Sequence, residues 1–313
     1  MSQHAHASPA KVALGFTSVY LLWGSTYLAI RFAVASLPPF FMAGTRHLIA
    51  GALLYALMRL RGAPRPSAAN WKSATLLGAL LLLGGNGLVS AAEQTVPSGV
   101  TALMVAAVPF WMVLLNAAEQ RRAPALPVLA GLLLGVAGLA VLVFPAGGHA
   151  PGHVDPMGIA MLLAGTFSWG VGSLYAHRAA MPASTFLGIG MEMLVGGLLL
   201  SLAGLVTGEG AALQLAAVTP KSLLALGYLV IFGSLLGFSS YVWLLKVTTP
   251  ARASTYAFVN PVIAVLLGWW FAGETVTPRI ALAGGIIVAA VCVILYFGAA
   301  AKARPVPAVV EEP

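Results

Sequence analysis

The sequence predicts an all-α integral membrane protein: ten transmembrane helices arranged as a 5+5 inverted-topology repeat, with the N- and C-termini both inside. Three observations predict it. Of 313 residues, 60% are hydrophobic and only 8% charged, with a mean hydropathy of +0.95. The apolar residues fall into ten long runs, and the same order of motifs occurs twice along the chain. A soluble domain carries about 25% charged residues and must cover a large wetted surface with polar groups. This chain lacks them, so lipid is the solvent for most of its surface.

A membrane-spanning helix needs about 20 mostly apolar residues. Runs of that kind cover 12–35, 39–60, 73–92, 98–118, 126–144, 156–177, 184–206, 222–245, 252–271 and 279–299. Turn residues or charges separate most of them, as at Leu37-Pro38-Pro39, Arg61-Gly62-Ala63-Pro64, Pro145-Ala146-Gly147-Gly148 and Thr277-Pro278. The runs are too long and too uniformly apolar for barrel strands. Run one follows a polar start and exceeds a signal-peptide core, so it is read as a retained helix. Residues 301–313 read as a Pro-rich, disordered cytoplasmic tail. Most of the 35 glycines and 20 prolines lie within or between apolar runs, where membrane helices tolerate them. The single cysteine, Cys292, reads as a small buried hydrophobe, and no disulfide within the chain is available.

Basic residues set the orientation. With the N-terminus inside, the inner segments hold Lys11, Arg59, Arg61, Arg65, Lys72, Arg121, Arg122, Arg178, Lys246, Arg252, Lys302 and Arg304. The outer segments hold only Arg31, Lys221 and Arg279. That excess follows the positive-inside rule. It also accounts for the net charge of +8 without a nucleic-acid partner, since no amphipathic basic face is present.

The repeat is read from position. Arg46 follows Trp23-Gly24 by the interval that separates Glu192 from Trp169-Gly170, and Gly51 and Gly197 coincide in the same register. Later in each unit come Val96-Pro97 then Val108-Pro109, and Thr249-Pro250 then Asn260-Pro261. Glu119 and Glu274 close the connections that follow. The units are 5–145 and 155–300. An odd number of helices per unit inverts the second in the membrane, an architecture of secondary transporters whose substrate site lies between the halves.

Polar groups at membrane depth are the candidate site. A charge at a helix centre costs about 2.5–3.5 kcal/mol, which singles out Arg46 and Glu192. Facing a cavity, Arg46 would hold a substrate carboxylate, and Glu192 an ammonium or a proton. Otherwise they form a structural pair or snorkel to headgroups. Trp23, Tyr27 and Trp169 sit mid-helix, as cavity walls or as helix packing, whereas Trp269, Trp270 and Phe271 lie at a helix end like an interfacial belt. Asn86, Ser90 and Gln94 recur on one face of helix three. Ser239, Ser240, Tyr241 and Trp243 form the matching stretch in helix eight, and Tyr256 and Asn260 share a face in helix nine. Pro109 and Pro261 kink their helices and free a carbonyl one turn earlier, so with Gly24 and Gly170 they are candidate hinges. Gly131, Gly135 and Gly138 make a close-packing face, which serves a dimer or, as favoured here, the monomer's own interior.

Other chemistry is not indicated. His4, His6, His149 and His153 lie in loops without Cys or acidic partners, so no metal site is expected. Gly85-Asn86-Gly87 and Gly170-Val171-Gly172 lack the third glycine of a nucleotide fingerprint, and no Walker lysine is present. No cofactor and no catalytic set are expected. The partners are a small-molecule substrate and the lipid bilayer. A membrane-embedded enzyme or assembly factor would need a titratable cluster at one depth, for which Arg46 with Glu192 is a poor candidate.

Taken in order, Leu22-Trp23-Gly24-Ser25-Thr26-Tyr27, Pro38-Pro39, Val96-Pro97-Ser98-Gly99, Val108-Pro109, Phe258-Val259-Asn260-Pro261-Val262 and Gly273-Glu274 resemble the EamA family of the drug/metabolite transporter superfamily over roughly 12–298. The closest resemblance is to bacterial inner-membrane exporters of amino acids and related metabolites. The resemblance implies a cavity walled mainly by helices one to four and six to nine, with helices five and ten peripheral. It also implies outward transport across the inner membrane. Drug-like cations, nucleosides or sugars are rival substrates. The predicted topology puts residues 61–70 and 178–183 on the same face of the bilayer, which impermeant labelling of single cysteines in right-side-out and inverted vesicles checks.

Overall fold

A computed structural model describes residues 8–121, 123–143, 155–176, 178–247 and 255–303. The chain folds into helices only, among the described residues. Nine of them are long and apolar enough to cross a membrane, and Val259–Ala272 is a shorter apolar helix. In order they are α1 (Pro9–Ala33), α2 (Pro39–Leu60), α3 (Ala68–Ala92), α4 (Ser98–Gln120), α5 (Leu126–Val143), α6 (Pro156–Ala176), α7 (Thr185–Val206), α8 (Pro220–Tyr228 continuing through Phe238–Val247), α9 (Tyr256–Ala272) and α10 (Pro278–Ala303).

Local chemistry sets the ends. Pro39 and Pro220 occupy first-turn positions, where a missing N–H costs nothing. Ser67 and Asn70 form a capping box at the start of α3, and Ser184 and Thr219 cap α7 and α8. Gly273, at φ 65°, ends α9 in the left-handed conformation that glycine adopts without strain.

Several expectations need correction. The apolar run of helix four is two helical pieces, Ser98–Val105 and Val108–Gln120, because Pro109 starts a new helix instead of bending an existing one. Pro261 lies inside α9 as expected. Helix α10 continues to Ala303, so the first three residues of the predicted tail are helical; 304–313 lie outside the described residues. Cys292 is exposed on α10 and not buried. Both lipid and protein interior are apolar, so the sequence pattern of the run does not separate them. His4, His6, His149, His153, Arg122 and Thr249-Pro250 also fall outside the described residues.

Helices are held together where glycines remove side chains between backbones. Lipid tails are as apolar as leucine, so close approach rather than the hydrophobic effect drives association. At the α2–α7 crossing, a Cβ on Gly51 would stand 2.7 Å from the backbone nitrogen of Leu194, and one on Gly197 would stand 2.8 Å from that of Leu48. Each partner precedes the opposite glycine by three residues, so the two contacts exchange under the register read from the sequence. Gly24 of α1 packs on Ile263 of α9, and Gly170 of α6 on Trp111 of α4. Ile263 stands two residues after Pro261, and Trp111 two residues after Pro109. Gly24 and Gly170, read as hinges, are therefore also packing contacts.

The glycine face of α5 is used inside the chain. Gly131 meets Ile294 and Gly138 meets Ile287, both on α10, while Gly135 receives the ring of Phe110. The largest apolar cluster joins Phe110, Leu132, Leu162, Ile287 and Ile294. Outside it, Leu60, Leu133, Val206 and Trp270 face outward, as a lipid-solvated surface requires.

At one end of the bundle, the 61–70 and 178–183 segments meet: Asn70 Nδ2 donates to the Ala180 carbonyl (2.8 Å), and the Ala180 N–H donates to Ser73 Oγ (3.0 Å). Because backbone cannot yield at Gly51, Gly51→Leu should lose about 1–3 kcal/mol or more, read as lower folded yield and a lower Tm in detergent. Gly227→Leu, where nothing lies within 4 Å, should leave both unchanged.

Candidate substrate site

Helices α3 and α8 each contain a π-helical stretch, Gly78–Gly87 and Leu229–Gly237. A π turn holds an extra residue, which shifts side chains off the regular helical face and often marks functional positions. Both stretches grip helix α2. Arg46 donates from Nε to Ser234 Oγ in α8 (2.8 Å), and His47 Nε2 lies 3.4 Å from Asn86 Oδ1 in α3. Arg46 and His47 are buried. Arg46 Nη1 and His47 Nδ1 find no partner among the described residues. A buried guanidinium with an unspent N–H is a donor set for an anion, since guanidinium cannot shed its charge and each missing hydrogen bond is costly.

Gly233, beside Ser234, makes room for this arrangement. A Cβ there would lie 2.9 Å from Arg46 Nη2 and 3.0 Å from Thr26 Cγ2. The Gly233 carbonyl accepts a hydrogen bond from Trp23 Nε1 (3.3 Å). Trp23 is thereby fixed at the centre of an aromatic cluster. Its ring lies 5.0 Å from Tyr241, 5.1 Å from Tyr256 and 5.9 Å from Phe238, and Tyr241 lies 5.5 Å from Tyr256. One turn along α1, Tyr27 packs against the main core together with Tyr256. Such tilted and edge-on pairs suit the quadrupoles of the rings. The combination of a cationic donor and aromatic walls lies between α1, α2, α8 and α9.

Not every candidate joins it. Trp169 packs over Gly85 of α3, where a Cβ would lie 2.7 Å from its ring. Asn86 reaches the cluster only through His47. Ser90 is spent on the Asn86 carbonyl within α3 (2.9 Å). Gln94 is exposed, two residues past the end of α3, so it does not share a helix face with Asn86. Glu192 is buried in α7, but no ion pair within 4.0 Å joins it to Arg46; among the described residues the ion pair is Arg178 with Glu119. Asn260 is buried, and its Oδ1 is an unpartnered acceptor one turn from Tyr256. Trp269, Trp270 and Phe271 are exposed at the end of α9, as a belt would be. Among the described residues, no three His, Cys, Asp or Glu side chains gather as metal ligands.

At the end predicted to face outward, carboxylates from late in the chain cap helices from early in it. Glu274 accepts from Ser98 N–H (2.7 Å), Ser98 Oγ (2.8 Å) and Gly99 N–H (3.0 Å) at the start of α4. Glu209 accepts from the Phe40 and Phe41 N–H groups at the start of α2 (3.1 and 2.9 Å). Carboxylates at helix N-termini complement the helix dipole. The Thr95 hydroxyl donates to Asp155 (2.9 Å) and, ahead of the Met157 N–H, holds its carboxyl below the usual carboxylate range.

Sequence reasoning missed His47, Gly233 and Ser234. His47 stood beside a selected charge, and a buried imidazole at membrane depth is signal enough. Gly233 and Ser234 carry no pattern of their own.

The EamA-like transporter family matches residues 11–144 and again 156–296. The chain is 40% identical to "Uncharacterized inner membrane transporter YedA" of Escherichia coli K12, over 93% of this chain and 92% of that protein. It is 25% identical to "Probable amino-acid metabolite efflux pump" of Salmonella typhimurium LT2, over 90% and 93% of the two chains. A solved crystal structure superposes with a TM-score of 0.64 at 23% identity, covering 95% of this chain and 100% of that one. That likeness supports the fold.

Ser234→Ala removes the one hydrogen bond fixing Arg46 Nε and strands a buried charged donor. It should cost about 1.5–3 kcal/mol, measured as a fall in detergent Tm. The same exchange at Thr207, exposed at the end of α7, should cost under about 0.5 kcal/mol.

Proposed function

Because the chain belongs to the EamA-like transporter family and is a multi-pass membrane transporter, we propose that it exports small zwitterionic metabolites, amino acids foremost, across the bacterial inner membrane. The observation that carries this reading is the buried Arg46 guanidinium. It is held by Ser234, has Nη1 unspent, and stands next to the Trp23–Tyr241–Tyr256 cluster. In the proposal, Arg46 takes the substrate carboxylate, the rings enclose its side chain, and Asn260 Oδ1 offers an acceptor to the ammonium. The name of the Salmonella relative supports amino-acid metabolites as the class, and that of the Escherichia coli relative supports the inner membrane.

Alternating access follows from two five-helix units, 5–145 and 155–300, rocking about the α2–α7 crossing. Its glycines are close enough to pivot without a side chain between them. Pro261 inside α9, and the break between the two pieces of α4 ahead of Pro109, would localise the bending. A site walled by rings with one charge predicts broad selectivity and weak binding. The rings would also attract organic cations, so a competition panel of amino acids, cations, nucleosides and sugars against one labelled amino acid separates the classes.

Flux of labelled leucine from proteoliposomes is the direct test. Arg46→Gln should raise the half-saturating concentration about 10- to 100-fold, the equivalent of a lost charge-assisted hydrogen bond. Tyr256→Ala should also lower flux. Unchanged leucine flux in both variants would remove the site assignment.

A further inference from the structure

We propose that Glu93 is a proton-binding site, and that taking up a proton there permits the outer end of the bundle to close. Glu93 is the first residue after α3 and is 0% exposed. Neither carboxyl oxygen has a hydrogen-bond partner among the described residues. The Thr101 hydroxyl of α4, also 0% exposed, is unpartnered as well. Two of the buried polar side chains left unsatisfied therefore belong to the same end of the molecule.

The ionisable groups acting on Glu93 are Glu274 from the α9–α10 connection and Arg31 and Tyr27 from α1. Helix α2 also packs near this end of α3, but its Arg46 and His47 are engaged with Ser234 and Asn86. Asp155, at the start of α6, is engaged by Thr95. Arg31 is the natural counter-ion, yet its guanidinium is given to main-chain carbonyls, those of Glu93 and Gln94, and not to the carboxylate. Glu274 is itself a carboxylate, held at the start of α4 by Ser98 and Gly99. Glu93 also stands at the carbonyl end of α3, where the helix dipole opposes a negative charge. An ionised Glu93 is thus buried with neither oxygen hydrogen-bonded, and burial first and the Glu274 charge second disfavour it while Arg31 favours it. The neutral acid avoids that cost.

The Glu274 contact fastens the α9–α10 connection to the start of α4 at this same end. Opening it would let water solvate the carboxylate and the proton leave to solution; closing it requires a proton to return from solution to a carboxyl oxygen. Tyr27 has Glu93 as an electrostatic neighbour and acts in turn on Tyr256, which shares a side-chain hydrogen bond with Tyr241. The inference rests on the transporter reading for its use, but the site itself is tested without any substrate.

The test uses the full chain in lipid nanodiscs with Cys292→Ser. Spin labels go on Gln94→Cys and Thr275→Cys, both exposed positions on either side of the closure. The expected result is a short distance at low pH that gives way to a longer one as pH rises. For one coupled proton the closed-to-open ratio falls by up to about tenfold per pH unit. Glu93→Gln should hold the end closed at every pH, and Glu93→Asp should restore the pH dependence. Varying sodium at fixed pH should change nothing. A wild-type distance that ignores pH would overturn the proposal. So would a Glu93→Gln variant that keeps the dependence, or populations that follow sodium. Because no flux is measured, failure of the amino-acid assignment leaves these outcomes unaffected.

Discussion

The α2–α7 crossing constrains everything else in this protein. In lipid, no hydrophobic force presses one apolar helix onto another, so association depends on how closely backbones approach. Gly51 and Gly197 allow the two helices to touch backbone to backbone, with Leu194 and Leu48 as their partners. The crossing fixes the depth and rotation of α2, and with them the direction in which Arg46 and His47 point. A side chain in the crossing would separate α2 from α7 and disturb the hold of the α3 and α8 π stretches on Arg46 and His47.

That hold is the second requirement. A guanidinium at membrane depth survives only if protein replaces the water it gives up. Ser234 supplies one acceptor, and Gly233 supplies the space in which the head group lies. The same turn of α8 accepts the Trp23 indole N–H, so charge and aromatic surface are fixed by two adjacent residues. A substrate carboxylate would complete what the fold leaves unfinished at Nη1, which is how a structural cost becomes binding energy.

Much of this was legible in the sequence. Long apolar runs separated by Pro and Gly locate α2 and α7 to within a residue, because the chain has few other ways to begin and end a helix in lipid. Trp23 stood out as a mid-helix aromatic with a polar tip, Tyr241 as part of the polar stretch of helix eight and Tyr256 beside Asn260 in helix nine, and the structure brings the three together. Gln94 misled because a uniform helical period was extended past Ala92; the apolar pattern does not reveal that the helix stops. The π stretches were invisible for a related reason. One extra residue per turn changes which side chains face inward but leaves composition untouched, so Ser234 gave no signal. Glu93 lies just past the apolar run of helix three, where carboxylates are ordinarily wet, and the sequence gives no sign that it is buried.

The central claim is that Arg46 and the Trp23 cluster form the substrate's contact surface. An experimental structure of the protein with an amino acid bound, leucine at saturating concentration, tests it most directly. The account predicts ligand density with its carboxylate on Arg46 Nη1 and its side chain against Trp23, Tyr241 and Tyr256. Ligand density elsewhere, with the Arg46 surroundings unchanged from the ligand-free protein, would contradict it.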